Sequence, residues 1–237
     1  VKPLTLVYSY CDQPAMLARQ YQEWLTYPPG VSIIVVDDCS RETAAIAVPR
    51  PVGLPPLEIY RVGIWKDWGW PMARNLGMHH APEGVCLLTD LDHVLDSENA
   101  AKLLAADLDP KFAYRPSRTT PDSAPVKRHN DSFALTREMF WRTGGYRLRY
   151  LGWYGTSSCW SRRLGMFAAI CETDQFKLTV YNMAGVDLGG VAGAGTTGMG
   201  RKGSTHHVGN SPFAGETRTA HLTAETDPLA FPWERAL

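Results

Sequence analysis

GVCLLTDLDHVL, residues 84–95, opens on an apolar run and closes on a pair of acids. Val85 to Leu88 is short, lies between Gly84 and a polar cluster, and follows a helix-like segment, which is the pattern of a strand buried inside a sheet. Asp90 and Asp92 come next, two positions apart. On extended backbone, side chains at i and i+2 leave the same face, so these carboxylates repel each other unless a cation or hydrogen-bond donors stand between them. The segment therefore predicts a buried strand with a site at its carboxyl end.

The flanking sequence says what kind of sheet that strand joins. LTLVYSY (4–10) is strand-like, and PAMLARQYQEWL (14–25) sets Leu17, Tyr21 and Trp24 at helical spacing behind Pro14, a good first-turn residue. VSIIVVDD (31–38) is a second apolar strand ending in acids, and a connector with four prolines (48–56) leads to LEIYRV (57–62). After a Trp-rich turn, PMARNLGMHHA (71–81) resumes helical character behind Pro71. Strand, helix, strand, strand, helix, strand, with apolar rather than alternating strands, predicts an α/β fold whose mostly parallel sheet is covered on both faces. Ligands of such sheets sit at the carboxyl ends of the strands, where Asp37, Asp38, Asp90 and Asp92 all fall.

A chain of 237 residues, 44% apolar and 11% aromatic, is ample for a globular core and excludes disorder as its main state. The apolar runs are too short to cross a bilayer, and the N-terminus lacks the basic start and long apolar stretch of a leader, so a cytoplasmic protein without a membrane span is expected. Five cysteines (Cys11, Cys39, Cys86, Cys159, Cys171) without a CxxC pair read as apolar filler rather than a disulfide framework. Formal net charge is zero, but residues 111–163 carry 11 basic and 3 acidic side chains. That block is either a solvated face or an anion-binding surface.

Beyond residue 110, TTPDSAP (119–125) is a loop, SFALTREMFWRTGGY (132–146) a short strand plus a helix closed by glycines, and SSCWSRRLGMFAA (157–169) helical. GGVAGAGTTGMGRKG (189–203) holds seven glycines and is mobile or tightly turned. Its GAGTTG is a formal GxGxxG. No helix-forming stretch follows it, and it lies outside the strand–helix alternation, so it is not a dinucleotide-binding loop.

LTLVYSYCDQPAMLARQYQEWL, IIVVDDCS, ARNLGMHHA, LLTDLDHVL and FWRTGGYRLRYLGWYGT occur in the order seen in GT-A fold glycosyltransferases of the family 2 type, and the chain resembles that family over residues 3–165. The resemblance implies a Rossmann-like GT-A sheet with flanking helices in one domain, 1–237. Residues 1–110 would be the nucleotide-sugar-binding half, 111–188 the acceptor-side half, and 189–237 a flexible C-terminal loop and tail. It further implies an enzyme that moves a sugar from a nucleotide-sugar, a UDP-sugar in this reading, to an acceptor hydroxyl. Mn²⁺ or Mg²⁺ is the implied cofactor, because a carboxylate pair leaves such a cation room for diphosphate oxygens.

Position by position, the resemblance gives Tyr8 and Tyr10 the walls of the base pocket and Asp38, or Asp37, the polar edge of the base. Arg74 and Asn75 would lie near ribose and diphosphate, where a guanidinium fork suits phosphate oxygens. Asp90 would touch the ribose or a metal-bound water and Asp92 the metal, with His206 or His207 closing the site as a further ligand. Plainer readings stand beside these: strand residues for the tyrosines, a helix-surface ion pair for Arg74, unengaged loop histidines for His206 and His207. Trp65, Trp68 and Trp70 read as packing, with a sugar-lining ring as the alternative, and His79 and His80 receive no role.

Two departures from the family pattern matter. Where inverting members carry an acidic general base after the GGY turn, this chain has Ser157, whose hydroxyl cannot serve near neutral pH. The base then comes from Asp131, Glu172 or Asp174, or configuration is retained and the leaving diphosphate takes the proton, or the protein is a non-catalytic nucleotide-sugar or nucleic-acid binding module. Second, Arg147 and Arg149 stand where acids are common. A polyanionic acceptor accounts for them, as in enzymes that glycosylate hydroxymethylated bases of bacteriophage DNA, with Trp153 or Tyr154 filling the gap of a flipped nucleotide in the host cytoplasm. Glycan and lipid-linked acceptors compete with DNA. A nucleotidyltransferase is disfavoured, because no Gly-rich phosphate loop follows the first strand.

Overall fold

Residues 3–90 build two strand–helix–strand units in succession from the elements β1 (Leu4–Tyr10), α1 (Pro14–Trp24), β2 (Val31–Asp37), β3 (Leu57–Val62), α2 (Trp70–His80) and β4 (Val85–Asp90). The computed structural model describes residues 3–152, 156–181 and 227–237. The remaining elements are β5 (His93–Val94), α3 (Ser97–Ala105), β6 (Phe112–Thr119), β7 (Pro125–Val126), β8 (Phe133–Thr136), α4 (Arg137–Arg142), α5 (Thr156–Phe167), β9 (Ala169–Val180) and β10 (Trp233–Arg235).

All the strands among the described residues join one sheet in the order β10-β3-β2-β1-β4-β8-β6-β9-β5, with β7 paired to β6. The pairs β1–β2, β1–β4 and β2–β3 are parallel, whereas β8 runs antiparallel to β4 and β10 antiparallel to β3. The parallel part is the part the sequence predicts, and the sheet beyond β4 is mixed. Alternate residues of β1 go to opposite faces: Leu4, Leu6 and Tyr8 pack with Leu17, Tyr21 and Trp24 of α1 and Leu103 of α3, while Val7 packs with Met72 and Leu76 of α2 and Phe140 and Trp160 of α4 and α5. That two-sided burial is why the strands read as apolar runs.

Gly77 lets α2 lie close on the sheet: a Cβ there would come 2.4 Å from Val7 Cγ1. Residues 227–237, expected to belong to a flexible tail, instead follow the edge strand. Gly63 N donates to Pro232 O at 2.6 Å and Ala236 N to Ile59 O at 2.7 Å, so β10 covers a sheet edge that would otherwise be open. All five cysteines are free thiols, and burial pushes the Cys86 thiol up to about 12, which suits apolar filler. No helix among the described residues is long and apolar enough to cross a membrane.

Candidate active site

In the parallel register Tyr10 lies beside Asp37 and Ser9 beside Asp90, so β1, β2 and β4 end at one level. Strand order runs outward from β1 in both directions, to β2 and β3 on one side and β4 on the other, and such a reversal opens a crevice at the carboxyl ends. A pocket occupies it, lined by Tyr10, Asp38, Trp70, Asp90 and Asp92 among others. A larger cavity of about 580 Å³ lies at the opposite end of β4, beside Val85 and Trp141, and holds none of these acids.

The paired acids of β2 part company. Both Asp37 oxygens accept backbone amides, Oδ1 from Ser40 N at 2.7 Å and Oδ2 from Ala45 N at 2.8 Å, so Asp37 shapes the loop and Asp38 faces the pocket. Asp12, to which the sequence assigns nothing, braces the same loop by accepting the amides of Arg41, Glu42 and Thr43 at 2.9–3.0 Å. Tyr10 lines the pocket and donates its hydroxyl to Thr43 O at 2.7 Å. Tyr8 does not reach it. It shares the face of Tyr10 but lies two residues deeper in β1, where its ring is buried against Trp24 with centroids 5.5 Å apart, so its place is the core rather than a base pocket.

Arg74, carried into the crevice by the second turn of α2, is fully buried. Its Nη2 donates to Asp90 Oδ1 at 2.5 Å, and its Nη1 to Asp131 O at 2.6 Å and the Tyr146 hydroxyl at 3.1 Å. Tyr146 in turn donates to Asp131 Oδ1 at 3.1 Å. A guanidinium so engaged is not open to ribose or diphosphate; it fixes Asp90. Burial pushes the Asp90 carboxyl up, but His129 and Arg74 outweigh it and hold the group below the usual carboxylate range. Asp131 is raised, because burial there exceeds the pull of Arg74. Asn75 likewise leaves the diphosphate role. It clasps Tyr146 from both sides, Nδ2 donating to its carbonyl and Oδ1 accepting its amide, each at 2.8 Å. Gly145, at φ +65°, is needed beneath that clasp, since a Cβ would sit 2.8 Å from Asn75 Oδ1.

Two histidines missed by the sequence reading complete the cluster. His93 directly follows the D-x-D pair, and His129 arrives from the loop before β8; its Nε2 lies 3.4 Å from Asp90 Oδ2. His93 Nδ1 lies 3.0 Å from Thr89 Oγ1, and its Nε2 accepts from Arg118 Nη1 at 2.8 Å. Burial pushes both imidazoles below their ordinary pKa. Asp90, His93 and His129 each offer a donor atom within 4.8 Å of the others, a set whose chemistry fits the divalent cation that the resemblance implies. Asp92 Oδ1 stands 4.0 Å from His93 Nε2. The histidine after the acid pair was a readable signal; His129 had none, because only the fold brings its loop to β4.

The basic block of residues 111–163 disperses. Arg115 and Arg128 pair with Glu172 at 3.6 and 3.5 Å, and Arg128 also holds Asp174 at 2.5 Å, because β6 and β9 lie side by side in parallel. Glu172 and Asp174 are thereby engaged by arginines, and neither lines the pocket. Arg147 is buried and Arg149 exposed, so the RLR pair does not form one charged face. Ser157 lies half-buried in the first turn of α5. Trp65 stacks under Arg41, Trp70 packs edge-on against Tyr146, and His80 stacks on Tyr60. Trp153, Tyr154, His206 and His207 lie outside the described residues.

Among solved structures the fold is shared with a mannosyltransferase from Pyrobaculum calidifontis in complex with GDP-Man and Mn²⁺, at a TM-score of 0.60 and 16% identity, covering 78% of this chain and 59% of that one. The S. aureus TarS 1-349 fragment in complex with UDP-GlcNAc matches at 0.58 and 10% identity, covering 79% and 61%. The chain thus spans about three fifths of the length of either, and at such identities the likeness is one of fold, the GT-A arrangement. No curated protein matches the sequence. The model of the glycosyl transferase family 2 matches residues 9–170, from the end of β1 through the whole acid-lined crevice into β9, and the chain belongs to that family.

Proposed function

We propose that this protein is a metal-dependent glycosyltransferase that moves a sugar from a UDP-sugar to an acceptor hydroxyl. The observation that carries the reading is the meeting of Asp38, Asp90 and Asp92 at the ends of β2 and β4 in one pocket beside Tyr10 and Trp70. Asp38 accepts from the base edge while Tyr10 and Trp70 wall the donor. Asp90 and Asp92 would hold the cation, with His206 or His207 as a further ligand; its chemistry there would be to neutralise charge developing on the departing diphosphate. Arg74 fixes the Asp90 carboxylate and Tyr146 fixes Arg74, so the acids are set before the donor arrives.

Of the three acids considered as base, Asp131 is the one in this cluster. Product with inverted configuration, read by NMR, together with lost turnover in Asp131→Asn assigns the acceptor proton to Asp131; retained configuration assigns it to the leaving diphosphate. The charge argument for hydroxymethylated DNA is weakened by the pairing of Arg115 and Arg128 with β9, which favours a glycan or lipid-linked hydroxyl as acceptor.

The deciding experiment is nucleoside diphosphate release from UDP-, GDP- and dTDP-sugars with Mn²⁺ or Mg²⁺, with and without hydroxymethylpyrimidine DNA, alongside Asp92→Ala. Release that needs both metal and Asp92 is expected. Dependence on DNA would restore the DNA acceptor, and intact donor under every condition would leave a binding module.

A further inference from the structure

One hydroxyl explains why two imidazoles face the same carboxylate. Ser132 Oγ lies 3.2 Å from His93 Nδ1, 3.1 Å from His129 Nδ1 and 2.8 Å from Thr89 Oγ1. On the opposite side of the His93 ring, Nε2 is 2.8 Å from Arg118 Nη1, and a guanidinium can only donate. His93 Nε2 therefore presents a lone pair and Nδ1 carries the proton, directed at the Ser132 and Thr89 hydroxyls. Ser132 can accept from His129 Nδ1 as well, in the tautomer whose Nε2 lone pair faces a cation held at Asp90 Oδ2, 3.4 Å away; with no cation there, the carboxylate only accepts and Nε2 carries the hydrogen. The rings meet at 76° with centroids 4.7 Å apart. Imidazoles held at Nδ1 by a polar partner and presenting Nε2 toward a carboxylate have the arrangement of metal ligands with their outer support.

We propose that Asp90, His93 and His129 form a two-nitrogen, one-oxygen site for a first-row transition-metal dication, with Ser132 orienting both imidazoles and Arg118 competing with the ion at His93 Nε2. The inference rests on the metal-dependent reading above and deepens it by setting two nitrogen ligands beside Asp90 of the acid pair. Two imidazole ligands favour Co²⁺ or Zn²⁺ over Mn²⁺, and any of these over Mg²⁺, which prefers oxygen, so the site discriminates against Mg²⁺. Arg118 is anchored independently through Nε to Lys127 O at 2.9 Å, so only one of its hydrogen bonds need yield.

The test titrates Co²⁺ alone into the whole protein, followed by visible absorption, with Mn²⁺ followed by electron paramagnetic resonance. Expected are ligand-field bands that about a hundredfold excess of Mg²⁺ does not remove, and affinity weakened roughly 10–100-fold in His93→Gln, His129→Gln and Ser132→Ala. Arg118→Met should bind Co²⁺ more tightly, a gain that misfolding cannot imitate. Unchanged Co²⁺ affinity in both histidine variants, or displacement by equimolar Mg²⁺, overturns the site; if turnover also persists in those variants, the enzyme stands without it. Co²⁺ binding that needs the histidines in a protein that turns over no donor supports the site and removes glycosyl transfer.

Discussion

Arg74 is a buried cation whose fork ties a β4 carboxylate to the loop before β8 and the turn after α4. Removing it strands Asp90 and Asp131 without their counter-charge. Arg74→Met is expected to cost about 3–5 kcal/mol in urea unfolding, the usual penalty for breaking a buried pair from one side. Arg74→Lys keeps the charge but not the fork, and its loss should be smaller. At the donor side, Asp38→Ala should raise KM for the nucleotide-sugar while leaving the far-UV spectrum unchanged, because it is the Asp37 carboxylate that accepts the amides of the β2 loop. The acids at the strand ends were legible because sequence position alone puts them at the crevice. Asn75 and Arg74 were legible as polar residues on a site-facing helix, but not in their jobs, since their partners lie in Tyr146 and Asp131, remote in sequence and joined only by folding.

Among elements, α2 bears most on the site, and its distance from the sheet is set by Gly77. Alanine is the better helix former by about 1 kcal/mol, but here its methyl would overlap Val7 Cγ1, 2.4 Å from the Cβ position. Gly77→Ala is therefore expected to destabilise by roughly 1–3 kcal/mol, the cost of overpacking, and to reduce donor affinity by displacing Arg74; thermal unfolding and calorimetry read the two effects separately. The strands of residues 3–90 were readable because both faces are buried. β9 was not: its exposed and buried positions alternate irregularly, and its partner β6 contains Pro116, which argues against a strand interior. The proline is tolerated because the β6–β9 register shifts between Pro116 and Ser117, a local irregularity that spares the missing amide. α3 carried a legible start in Asp96, whose side chain caps Asn99 N at 2.8 Å, yet it followed the acid pair so closely that the strand signal dominated.

For the molecule as a whole, the sheet is one continuous layer whose β3 edge is closed by β10. Deleting residues 233–237 bares that edge; self-association by light scattering is expected to rise, and the melting temperature to fall by roughly 2–4 °C for each kcal/mol of lost pairing. Fold class was legible because apolar periodicity is local, whereas the mixed half depends on pairings between distant segments. The clasp at Asn75 couples these scales. Its Nδ2 holds Pro228 O at 3.0 Å as well as the Tyr146 carbonyl, and Tyr146 reaches Asp131 and Arg74. In the terms of hydrogen exchange, α2, the turn around Tyr146 and the residues near Pro228 are expected to open as one cooperative unit, their amides showing a common opening free energy that falls together in Asn75→Ala, with the change passed through Arg74 to the carboxylate of Asp90.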